Sequence, residues 1–103
     1  MGLEQQLVLQ FDLSAPDDFD AVLAVEEQLT EALEDLAEVE GHNVGTRMMH
    51  VFIWCDEADE TFASVRDVVD TDLLDHARAG WRYADDETFT PLWPPGLERF
   101  DVS

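Results

Sequence analysis

The sequence predicts an α+β fold, an antiparallel sheet with two helices on one of its faces. Three patterns point there. Apolar residues recur with period two in residues 7–13. They recur with the helical period after Ser14. In residues 46–56, "TRMMHVFIWCD", both sides of an extended segment are apolar. Period two marks a half-buried strand, period 3.6 an amphipathic helix, and a doubly apolar run a strand covered on both faces.

Along the chain, "LVLQFDL" sets Leu7, Leu9, Phe11 and Leu13 on one side and Val8, Gln10 and Asp12 on the other, so it predicts a strand with one buried face. Ser14 is placed to cap a helix whose first turn holds Pro16 and Asp17, residues that suit a helix start. Its apolar stripe is Phe19, Val22, Val25, Leu29, Ala32, Leu33 and Leu36, and its end is expected near residue 36. A short strand over 39–44 and a turn at Gly45 lead into the doubly apolar strand, 47–55. Asp56 is the expected cap of a second helix with Ala58, Phe62, Val65, Val69 and Leu73 on its inner stripe. A hairpin follows, with arms 79–84 and 88–93, the second demoted to an edge strand by Pro91. The order βαββαβ with an extra C-terminal strand is the ferredoxin-like split βαβ arrangement, whose first and third strands are central. With no repeat or linker, residues 1–103 read as a single domain.

The doubly apolar strand raises the functional question. Met49, Val51, Ile53 and Cys55 share one side, and Met48, His50, Phe52 and Trp54 the other. Helices shelter only one side. The other is expected to carry an apolar patch of several hundred Å², larger than a soluble monomer usually leaves bare. Three covers are open: the C-terminal segment with Leu92, Trp93, Leu97 and Phe100, a second copy of the chain, or a small ligand. The expected interface or ligand face is Met48, His50, Phe52, Trp54, Trp81, Arg82 and Trp93, with Arg82 expected to pair with a carboxylate.

Composition limits the partners. The chain has 25 acidic residues, five arginines and no lysine, a formal net charge of −20, and twelve of the acids precede Arg47. Such a field repels nucleic acid and anionic membranes and attracts a basic protein. The acidity equally suits plain solubility or a high-salt host. Nothing in the sequence is long and apolar enough to span a bilayer, and "MGLEQQLVLQ" matches neither a secretory signal nor a myristoylation site. A single cysteine suits a reducing cytoplasm.

Catalytic motifs are absent from the sequence. Cys55 and His50 are five apart on one strand and so point to opposite faces. His42 follows Gly41 in an expected turn, as surface decoration, and His76 follows the second helix. "DEADE" and "ADDE" lack the glycine and ligand spacing of a calcium loop, and a single cysteine builds no structural zinc site. No catalytic residue, metal or cofactor is therefore assigned. The expected role is a non-enzymatic interaction module, homodimeric through the sheet face, of an immunity or inhibitor type toward a basic protein. The alternative is a dimeric small-molecule binder or cofactor-free enzyme with a pocket on the aromatic face.

"EGHNVGTRMMHVFIWCDEADETFASV" and the later "GWRYADDETFTPLWPP" resemble a group of small acidic uncharacterised bacterial proteins. The matching positions are Gly41, Gly45, Phe52, Ile53, Asp56, Phe62, Arg82, Tyr83, Trp93 and Pro94. The resemblance implies a ferredoxin-like domain and no catalytic residue. At fold level the pattern is also similar to dimeric antibiotic-biosynthesis-monooxygenase-like proteins, an analogy that carries no activity.

Overall fold

A computed structural model describes residues 4–13, 16–45, 47–69 and 71–100. Ser14, the expected first cap, lies outside them, as does the Met1–Gly2 start. The chain forms β1 (Gln5–Asp12), α1 (Pro16–Ala32), β2 (Ala37–Val44), β3 (Met48–Cys55), α2 (Ala58–Val68), a short α3 (Thr71–Leu74), β4 (Ala77–Tyr83) and β5 (Thr90–Trp93). One antiparallel sheet has the order β2-β3-β1-β4-β5. This is the ferredoxin-like core with an extra edge strand, and β1 and β3 are interior strands as expected.

The main core lies between sheet and helices. β1 contributes Leu7, Leu9 and Phe11, and β3 contributes Met49, Val51, Ile53 and Cys55. Val22, Val25, Leu29 and Leu33 come from the first helical segment, and Ala58, Phe62, Val65 and Val69 from the second. Phe19, Ala32 and Leu36 leave the expected stripe and stand exposed. For Leu36 the cause is the helix end: α1 stops at Ala32, and the turn over 33–36 breaks the 3.6 period. The second cap also differs. Glu57 is the N-cap of α2 and makes no side-chain cap, whereas the Ala58 N–H donates to Gln5 Oε1 of β1 at 2.7 Å. A strand side chain thus satisfies one of the helix's orphan donors.

β1 is buried on both faces rather than one. Gln6, Val8 and Gln10, on the side away from the helices, are as enclosed as the core leucines. The cover comes partly from the C-terminus. Phe100 is buried, and an added Cβ on Gly80 would fall 2.4 Å from its ring. Gly80 pairs with Val8, so the phenyl ring sits on the helix-free face where Gly80 leaves room. Phe89 meets Phe100 edge-on at 5.5 Å.

Candidate functional site

The helix-free face is built of rows that cross the strands. Register places Glu38, Trp54, Gln6 and Arg82 side by side on β2, β3, β1 and β4. The next row along is Gly41, Phe52, Val8, Gly80 and Pro91. The third is Asn43, His50, Gln10 and Arg78. The face is therefore less greasy than the period of β3 suggests, because glutamines from β1 and arginines from β4 run beside the aromatic column.

Of the expected site residues, Met48, His50, Phe52, Trp54 and Arg82 share this face. Trp81 and Trp93 do not. Trp81 pairs with Leu7 and Trp93 with Ala79, and both pack against the helix-side core. Trp93 lies 5.9 Å from Phe62 and donates from Nε1 to the Leu74 carbonyl at 3.1 Å. Strand alternation explains the exclusion of Trp81, one position from Arg82. For Trp93, a register shift between Ala79 and Gly80 resets the facing of β5. Phe100, named among the C-terminal residues expected as one possible cover, lies over Gly80 with Phe89 against it. Gly80 was the available signal, since a glycine in a strand often marks close approach.

Arg82 does not pair with a carboxylate. Its Nε donates to Gln6 Oε1 at 2.9 Å, and one Nη1 donates to the carbonyls of Asp86 at 2.6 Å and Ala84 at 3.3 Å. Its guanidinium also stands over Phe89, 5.7 Å from the ring centre. A cleft of about 440 Å³ opens beside it, lined by Gln6, Glu40, Phe52, Arg82, Glu87 and Phe89. Trp54 Nε1 donates to Glu40 Oε2 at 3.1 Å at the β2 edge. A larger groove of about 740 Å³ lies on the helical layer, between Ala24 and Gln28 of α1, Val68 of α2 and Leu73 of α3.

His50 is 3% exposed, and burial pushes its pKa below 6.5. The Gln10 amide nitrogen lies 3.1 Å from His50 Nε2, and Arg78 Nη1 donates to Gln10 Oε1 at 3.5 Å. An arginine that donates to Oε1 fixes the amide so that its NH₂ faces the ring, and neutral Nε2 is the acceptor. Protonation would set two donors against each other. The sign for stability follows. The unfolded chain takes up this proton first, so His50 lowers stability as pH falls below about 6.5, by at most about 1.4 kcal/mol per pH unit. Urea unfolding of the wild type and His50→Gln between about pH 7.5 and 5.5 checks it. The wild type should lose ground to the variant as acid is added, and parallel curves would refute a buried neutral imidazole.

Cys55 sits on the opposite side of β3, buried in the main core. Burial pushes its thiol up, against a partly offsetting hydrogen bond with Thr61. A protonated, enclosed thiol is a poor nucleophile, and His50 is across the sheet. His42 lies within β2, not a turn, and its Nδ1 meets Glu26 of α1 at 2.9 Å, tying the edge strand to the helix. His76 occupies the turn after α3 and lines the helical groove. No group of three His, Cys, Asp or Glu side chains among the described residues is placed to hold a metal. No described helix is long and apolar enough to cross a membrane. Neither family models, curated proteins nor solved structures gave a match to the chain.

Proposed function

We propose that the protein is a non-enzymatic interaction module whose acidic helical side receives a basic protein. The observation that carries this reading is how the arginines are used. Arg82 and Arg78 donate to glutamines and main-chain carbonyls, and Arg66 lies over the Trp93 ring at 4.8 Å. The carboxylates at the start of α2 are left crowded together. Glu57 is pushed up from the ordinary carboxylate range, chiefly by Glu60 and also by Asp59 and Asp56. Like charge gathered in this way favours a partner that brings cations.

The test is titration with a labelled arginine-rich peptide across a salt series. Binding should weaken about tenfold or more between roughly 50 and 500 mM salt. Neutralising Glu57, Asp59 and Glu60 together should cost more affinity than neutralising Glu27 and Glu31 on α1 with Glu34 in the turn after it. Equal losses would mean a diffuse field with no docking site and would end this reading. A second reading, a small-molecule binder, draws on the cleft beside Arg82, whose size suits a ligand and whose walls are Phe52 and Phe89. The carboxylates of Glu40 and Glu87 in the same lining weigh against an anionic substrate there.

A further inference from the structure

The helix-free face has a charge order that matches itself reversed. Its first row runs acid, tryptophan, glutamine, arginine from β2 to β4: Glu38, Trp54, Gln6, Arg82. Adjacent strands stand about 4.8 Å apart, so the two charged ends are about 14 Å apart. A two-fold axis parallel to the strands, lying between two stacked sheets, exchanges the two sides of the face and preserves position along the strands. It sets each Glu38 over the Arg82 of the other copy and each Trp54 over a Gln6. Glu38 is exposed, and Nη2 of Arg82 has no partner among the described residues.

The second row fits the same operation by shape. Phe100 rides above Gly80, a ridge on the β4 side. The corresponding position on the β2 side is Gly41, where a Cβ would meet nothing within 4 Å. The axis therefore brings the ridge of one copy over the gap of the other. Met48, Phe52 and Trp54, each half-buried, lie between.

We infer that this face docks on a second copy of the chain about that axis. A five-stranded face of this length offers about 500 Å² per copy. The total, about 1,000 Å², is at the lower limit for a specific interface. Outside the seam the two chains repel, and added salt strengthens association by screening that repulsion.

Sedimentation equilibrium on the full chain tests the proposal, with circular dichroism confirming the fold of each variant. Two exposed positions give effects opposite in sign to net charge. Glu38→Arg makes the chain less negative yet faces Arg82, and should weaken association about tenfold or more. Asn43→Glu makes it more negative yet lies over Arg78 of the other copy, and should strengthen association several-fold. A monomer across the salt series would overturn the proposal. So would variants that follow net charge, with Glu38→Arg tighter and Asn43→Glu weaker, which points to a dimer through another surface. A monomer that instead takes a small molecule beside Arg82 would assign the face to a ligand and overturn it equally.

Discussion

Gly80→Ala should destabilise the fold by about 3 kcal/mol, although alanine is ordinarily the better strand residue by roughly 0.5–1 kcal/mol. The new methyl group would meet Cδ2, Cγ and Cβ of Phe100 at 2.4, 2.5 and 2.9 Å. These atoms belong to the ring and its root, so the neighbour has no flexible end that can bend away. The ring must leave the sheet, uncovering Val8 and the glutamines beside it. Phe100→Ala should cost a similar amount by losing the same burial. The diagnostic is the pair. In the double variant the alanine at position 80 has no ring to displace, so its penalty should vanish or change sign. Urea unfolding of the four proteins measures this. Additive losses would mean that Phe100 is not seated on Gly80, and the enclosed glutamines of β1 would need another explanation.

A single periodicity places most of the helix-side core. The alternation of Leu7, Leu9 and Phe11 and the stripe of Val22, Val25, Leu29 and Leu33 place the helix-side core without help from tertiary contacts. The doubly apolar β3 also announces a central strand. What the sequence leaves illegible is set by residues distant along the chain. Gln10 reads as solvent-facing because alternation sees one strand at a time, yet His50 on the neighbouring strand satisfies it inside the fold. The facing of Trp93 hinges on a one-residue register shift in β5, and such a shift exchanges the two sides. Of the residues expected on that face, those of β3 lie on the helix-free side and the two hairpin tryptophans lie on the other. Composition alone points Arg82 toward a carboxylate, but its Nε donates to Gln6 Oε1. In a chain with 25 acids a carboxylate seemed the default, whereas the cross-strand neighbour is Gln6.

Trp93→Ala should also cost about 3 kcal/mol, from the helical side of the same hairpin. β5 is four residues long and interrupted by Pro91, so its own ladder is thin. The indole supplies much of what holds it. It packs on Phe62 at 5.9 Å and beneath Arg66 at 4.8 Å, and its Nε1–H satisfies the Leu74 carbonyl at 3.1 Å. Truncation removes the ring packing and leaves that carbonyl without its donor. Trp93→Phe should retain most of the packing, forfeit the hydrogen bond, and cost about 1 kcal/mol. The effect should reach the other face. The chain passes from Trp93 through the turn at Pro94, closed by the Leu97 N–H to the Pro94 carbonyl at 3.0 Å, and returns to lay Phe100 over Gly80. Trp93 and Phe100 therefore grip β4 from opposite sides. Releasing the first should loosen the second, so hydrogen exchange in Trp93→Ala should accelerate at β1 and β4 amides beneath Phe100 as well as in β5. Acceleration confined to β5 would show that the two anchors act independently and that the tail holds its place without the tryptophan.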